Sequence, residues 1–397
     1  MKLGAGSLGH LTYCTNIHAG ETWPEVLSAL QQYLPEVKNE FSPQAPMGVG
    51  LRLSNAAAEA LQEPAAVAQL NKLLERGNYY VFTINGFPYG AFHGQKVKEG
   101  AYRPDWSDAS RLRYSNTLAH LLAKLLPADM PGSISTVPGT YKAWADGTID
   151  AIVDNLLQHV AELVTLQRDT GKMIALALEP EPCCLLETID ETIAFFEQQL
   201  YSTQSVARLG QLAGLERTAA EPALRRHLGV CYDVCHAAVE FEDAHESVAG
   251  LRSAGIPIAK LQLSCALEVP SVTPAMVEKL RAFDEPVYLH QVVERRTDGR
   301  LLRYTDLGDA FANAETARGA EWRVHFHVPI FESEIENFST TQAFLREILS
   351  LHGDSPVSEH LEVETYTWDV LPEQHRNVGM GTAIARELNW VKDQLSS

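Results

Sequence analysis

Basic residues are scarce: 32 lysines and arginines stand against 51 aspartates and glutamates, a formal charge of −19 over 397 residues. Holding a phosphate backbone depends on clustered lysine and arginine that release counterions, so this balance argues against a nucleic-acid partner. The pairs Arg225-Arg226 and Arg295-Arg296 read as solvated surface. Long apolar runs are missing as well. No segment approaches the roughly 18 residues that a spanning helix needs, and the N-terminus, Met1-Lys-Leu-Gly-Ala-Gly, lacks a secretory core. The expectation is a cytoplasmic protein that is not membrane-embedded. Cysteine is sparse and has no CxxC pair, which leaves neither a zinc ribbon nor a thioredoxin motif. Its six copies fall in or just after expected strands, where a small thiol packs well. No glycine-rich phosphate cradle is evident either.

What the chain does have is one repeated pattern. Six apolar residues at 173–178 run straight into Glu179-Pro-Glu181-Pro, which suits a strand buried on both faces of a parallel sheet. The pattern returns at 228–233, ending in Asp233 with His236 three residues on. It returns again at 258–264, around Gln262, and at 361–364, around Glu362 and Glu364. Each apolar strand delivers a metal-capable ligand near its C-terminal end, as a (β/α)8 barrel does when it builds its site.

Four earlier strands, at 11–15, 47–53, 79–84 and 133–137, alternate with amphipathic helices and give a parallel α/β fold. The loop at 85–106 is long and aromatic enough to be a lid or substrate wall, an equal alternative being a packed surface loop. After the seventh strand the alternation breaks. A helix at 274–283 precedes strands at 287–295 and 301–304 joined by Asp298-Gly299, a hairpin signal. A further strand at 322–329 presents His325 and His327 on one face. That exceeds eight strands, so part of 266–340 reads as a β-hairpin and strand insertion between strands 7 and 8 of one barrel domain spanning 1–397.

Glu179, Asp233, Gln262 and Glu364 together form a hard, oxygen-rich set suited to Mg2+ or Mn2+. Zn2+ is the secondary choice, since tetrahedral zinc more often shows cysteine or histidine. Any one of these acids alone reads as a cap of the following helix. Four consecutive barrel strands ending this way favour a divalent ion. His18, His290, His325 and His327 are further candidates for the cleft, although a single histidine is more often a structural residue. Phe87, Tyr89, Trp106, Tyr366 and Trp368 could wall an apolar or aromatic substrate, each alone reading as core.

The stretches Tyr13-Cys-Thr-Asn-Ile-His18, Glu179-Pro-Glu-Pro-Cys-Cys184, Tyr288-Leu-His-Gln291, His325-Phe-His-Val-Pro-Ile330 and Glu362-Val-Glu-Thr-Tyr-Thr-Trp368 carry a resemblance over nearly the whole chain. The sequence resembles the xylose-isomerase-like TIM-barrel superfamily and, within it, the EboE branch of metabolite-traffic proteins from the bacterial ebo operon, described as sugar phosphate isomerase/epimerase-like. The resemblance implies metal ligation by Glu179, Asp233, Gln262 and Glu364, with Glu362 open as an alternative to Glu364. It implies substrate contact by His236, and Glu187 as a carboxylate supporting the ligands. A histidine, His290, His325 or His327, could replace Gln262 at the metal, because the inserted segment has no counterpart in the small isomerases.

The implied activity is proton transfer next to the carbonyl of a small metabolite, with Glu179 and Glu364 as base and acid. Other ebo-operon proteins are the implied partners. A carrier that uses the same barrel pocket without turnover is the alternative. A nuclease like endonuclease IV is disfavoured by the acidic charge.

Overall fold

The computed structural model describes residues 1–4, 8–93, 96–368 and 379–396. Seven strands come first, separated by helices: β1 His10–Tyr13, β2 Met47–Arg52, β3 Tyr79–Asn85, β4 Gly132–Thr136, β5 Ile174–Leu178, β6 Leu228–Asp233 and β7 Ile258–Leu263. Six further strands follow, β8 Cys265–Val269, β9 Val292–Arg295, β10 Leu301–Tyr304, β11 Glu321–Val328, β12 Glu334–Ile335 and β13 Phe338–Thr340. The helix Gln342–Asp354 then leads back to β14 His360–Val363.

The first seven strands and β14 make one parallel sheet in the order β1-β14-β7-β6-β5-β4-β3-β2. Its two ends meet. Cys14 bridges Gly50 in parallel, and the Thr12 hydroxyl donates to the Gly48 carbonyl at 2.9 Å while accepting the Gly50 N–H at 3.0 Å. The fold is a (β/α)8 barrel. Strands packed between a filled interior and a ring of helices have no solvent face, and β2, β4, β5, β6 and β14 are buried at every position.

The barrel interior is not wholly apolar. Lys260 on β7 and Glu362 on β14 are both fully buried and pair at 2.6 Å. Glycine at position 50 makes room for that carboxylate, because a Cβ there would stand 1.7 Å from Glu362 Oε2. Burial opposes the charge on Lys260, but Glu362 and the neighbouring thiols outweigh it and raise its pKa.

The inserted strands form a second, antiparallel sheet in the order β10-β9-β11-β8-β13-β12. Asp298-Gly299 turns the β9–β10 hairpin, with Gly299 at φ 85°. Two boundaries differ from the sequence reading. The strand expected from 287 starts at Val292, because the Glu285 carboxylate takes the N–H groups of Val287 and Tyr288 at 2.7 and 2.8 Å, leaving neither for a ladder. The seventh strand ends at Leu263, one residue short of the expected end, and an unexpected strand of the second sheet begins at once with Cys265. All six cysteines are free, and five are buried. Among the described residues no helix is long and apolar enough to cross a membrane.

Candidate metal centre

Glu179 is the first residue past β5, and its N–H reaches the Thr136 carbonyl at 3.1 Å, so its side chain leaves the sheet at the barrel rim. Asp233 ends β6 and caps the helix Val234–Val239. Its Oδ1 accepts from the His236 N–H at 3.0 Å and from the Ser264 hydroxyl at 2.7 Å, while Oδ2 is buried without a partner. The helix-capping role and the ligand role therefore fall on different oxygens of one carboxylate.

Glu364 follows β14, its N–H bonded to the Leu263 carbonyl at 3.1 Å. Its Oε1 accepts from the side-chain amides of Asn16 at 2.6 Å and Asn85 at 2.9 Å. Ligand-capable oxygens of Glu179, Asp233 and Glu364 lie within 4.8 Å of one another, all buried. Gln262 stands level with Asp233 on the neighbouring strand, fully buried, with neither amide atom bonded. Glu362 sits lower in the barrel on Lys260 and is not part of this group.

Burial and the charges of Glu364 and Asp233 push the Glu179 carboxyl well above the usual range. Burial, then Asp233 and Glu362, raise Glu364 to about 8 against the pull of Lys260 and Asn16. Three crowded carboxyls with open oxygens at Glu179 and Asp233, beside an unsatisfied carboxamide, are what a divalent cation would complete. The donors are all oxygens if the Gln262 amide turns its carbonyl inward, a set that fits Mg2+ or Mn2+.

No family model matches the chain, and no curated protein matches it. It is similar to solved barrel structures. One is a xylose isomerase-like TIM barrel protein from Mycobacterium smegmatis in complex with magnesium, at 10% identity and TM-score 0.49, covering 98% of this chain and 97% of that one. Another is a D-tagatose 3-epimerase-like protein, at 12% identity and TM-score 0.49, with the same coverages. A third is the IOLI protein with a binding zinc atom, at 11% identity and TM-score 0.45, covering 98% of both. Overlap this loose leaves the site to be read from the chain's own side chains.

Beside the carboxylates the second sheet supplies imidazoles, with His327 Nδ1 3.9 Å from Glu364 Oε2. His325 and His327 on β11 converge with His236, with Nε2 of His325 3.2 Å from that of His236 and 3.1 Å from that of His327. All three are buried. Burial, then the neighbouring imidazoles, push His325 well below its ordinary pKa, and burial lowers His327 to about 4.

These groups border a pocket of about 560 Å3. The loop between β3 and the helix Ala109–Leu125 forms one wall with Phe87, Phe92 and Tyr102, and Tyr288 and Tyr366 form another. The aromatic loop is therefore a pocket wall.

Other residues singled out in the sequence stand elsewhere. His18 lies outside the pocket lining, stacked on Tyr33 at 4.2 Å and bonded to the Tyr13 hydroxyl at 3.0 Å. His290 stacks on Phe326 and pairs with Glu285 at 3.0 Å. Glu187 bonds the Cys183 N–H at 2.7 Å, pairs with Lys142, and borders a separate small cleft beside Asp233. Tyr89 packs on Tyr114, and Trp106 is buried with its N–H on Thr136. Trp368 is buried outside the pocket lining.

The sequence reading did not single out Asn16, Asn85, Glu181 or Gln291. Glu181 accepts from the Tyr102 hydroxyl at 2.6 Å, and Gln291 fixes His325 at 2.7 Å. The pairing of Glu181 with Glu179, two residues on, was the one available signal.

Proposed function

We propose that this chain is a divalent-metal-dependent isomerase or epimerase of a sugar or related hydroxy-carbonyl metabolite, acting by proton transfer next to the carbonyl. The carrying observation is the convergence of Glu179, Asp233 and Glu364 within 4.8 Å at the barrel rim, with open oxygens on the first two and an unbonded Gln262 amide beside them. Glu179, Asp233, Gln262 and Glu364 would hold the ion, which when bound would supply positive charge where negative charge develops on the substrate oxygens.

Glu364 takes the proton. Two amide donors on Oε1 favour its carboxylate form and aim Oε2, which accepts no hydrogen bond among the described residues, at the pocket. Glu179, raised by burial and its acidic neighbours, returns a proton on the other side. The aromatic walls exclude water around the exchanging carbon. His236, from the exit of β6, and His325 and His327, from the second sheet, face the substrate, and Glu187, His18 and His290 support the surrounding structure.

On the strength of the motif resemblance, the same proposal places the chain in the EboE metabolite-traffic branch, in the cytoplasm, with other ebo-operon proteins as partners. It also treats residues 1–397 as one barrel domain carrying an insertion.

The test is metal analysis of the purified chain, then deuterium uptake from solvent into a panel of ketoses and aromatic metabolite precursors. Glu364→Gln is expected to abolish exchange with the circular dichroism spectrum unchanged. Unchanged turnover in that variant rejects the assignment. Tight binding without exchange in the wild-type protein points instead to the carrier.

A further inference from the structure

The last helix, Met380–Gln394, turns Ala383, Ile384, Leu388 and Val391 to the core. Glu387 sits in the same buried stripe, 1% exposed, and among the described residues no cation pairs with it. Burial raises its carboxyl to about 7, although hydrogen bonds from Thr365 and Ile330 pull it down. A carboxylate on the inward face of a helix is costly, and breaks of this kind with the apolar pattern concentrate at functional sites.

Its partners say what the side chain holds. One oxygen, Oε1, accepts the Thr365 hydroxyl at 2.7 Å and the Ile330 N–H at 3.1 Å. Thr365 directly follows Glu364 at the exit of β14, and Ile330 lies two residues past β11, the strand of His325 and His327. The Ile330 carbonyl is held in turn by the Gln342 amide at 2.8 Å. The same two exits are laced together nearer the pocket. His327 Nδ1 meets the Glu364 carbonyl at 2.9 Å, and the Thr367 hydroxyl donates to the His327 carbonyl. Residues 329–330 and 364–367 lie outside any strand, so no ladder joins the two exits, and side chains alone set their spacing.

We propose that Glu387 is a positioning residue for the metal centre: from the helix behind the rim it pins both strand exits and so fixes where Glu364 and the pocket wall at Tyr366 stand. The inference rests on the reading of Glu364 as a ligand of the ion. Asn16 and Asn85 aim the Glu364 carboxylate through Oε1, and the bond from Glu387 to the next residue holds the backbone that carries it. A group that orients a ligand without touching the ion is commonly worth about 10–100-fold in metal affinity.

The experiment titrates the chelator-stripped full chain with Mn2+ and reads free and bound ion by electron paramagnetic resonance. Glu387→Ala is expected to weaken Mn2+ binding by about 10–100-fold and to change the spectrum of the bound ion. Glu387→Gln keeps an oxygen acceptor for both donors and is expected to recover most of that affinity. His227→Leu is the control for general loosening. It removes buried bonds to Ile174 and Gln167 at the opposite end of the barrel, and it is expected to lower stability without moving Mn2+ affinity. Unchanged affinity in Glu387→Ala overturns the proposal. So does a loss in Glu387→Ala that is matched by either Glu387→Gln or His227→Leu. A wild-type chain that takes up no Mn2+ overturns the ligand reading and this inference with it, whereas normal uptake with an indifferent Glu387→Ala overturns this inference alone. Should Glu387→Ala not fold, Thr365→Val removes the hydroxyl bond alone, is expected to weaken Mn2+ binding in the same direction, and decides in its place.

Discussion

The two sides of the pocket are built on opposite rules. On the barrel side, each carboxylate sits at or just past the end of its own buried parallel strand, so Glu179, Asp233 and Glu364 converge because the ring closes. On the inserted side, two histidines share one antiparallel strand, and His325 and His327 reach the same face because strand side chains alternate. The barrel side crowds carboxylates together and leaves one oxygen each on Glu179 and Asp233 without a partner. On the inserted side, His325 and His327 are each fastened from behind through Nδ1. A closed barrel can concentrate side chains from distant sequence, whereas an added sheet adds them in pairs.

Breaking the barrel side should have the largest effect. Glu364→Gln removes the proposed proton acceptor with little change in shape, and proton-exchange rate should fall by about 10²–10⁴-fold. Deuterium uptake measured by mass spectrometry reads it. Next comes the ion pair beneath the carboxylates. Lys260→Met strands Glu362 as an unpaired buried charge and should cost about 3–5 kcal/mol of stability in denaturant unfolding. The double change Lys260→Met/Glu362→Leu should recover most of it, and no recovery would show that the pair is not the cause.

On the inserted side the effect should be smaller. Gln291→Leu removes the acceptor behind His325 and should cost about 1–3 kcal/mol, read by urea unfolding. The last contrast is acid sensitivity, which is small per pH unit. Burial, then the charges of His10 and Lys260, lower His360 on β14 from 6.5 to about 3. It stays neutral in the fold but takes a proton in the unfolded chain, so its contribution is full above pH 6.5 and is lost as pH falls toward 3. Within that window stability should decline by about 1.4 kcal/mol per pH unit from this group. In His360→Gln the slope should be shallower by that amount, checked by thermal melts between pH 6.5 and 4.

The convergence of Glu179, Asp233 and Glu364 was legible because each is a polar residue at the abrupt end of an apolar run, a pattern that survives without knowledge of partners. Cys265 shows where that reading stops. The end of the seventh strand at Ser264 was read, but not that a strand of the second sheet starts in the next residue, because the Ser264 hydroxyl that turns the chain out of the barrel bonds Asp233, a contact made only in the fold. The imidazole pair on β11 was visible from its alternation and His236 from its spacing after Asp233, but not that the three rings meet, since His236 belongs to another strand's exit. Asn16 and Asn85 look like ordinary loop amides until both are seen on one oxygen of Glu364.

Lys98 and Asp306, 208 positions apart, pair at 2.5 Å, and the Val287 carbonyl takes the N–H groups of Val97 and Lys98 at 2.8 and 3.1 Å. The aromatic rim is thereby stitched from the third βα loop and the added sheet together. Trimming the insertion back to a plain eightfold ring would unroof the pocket as well as remove two histidines. The extra sheet and that loop are bound to change in concert, and a graft of either one alone would leave the seam open.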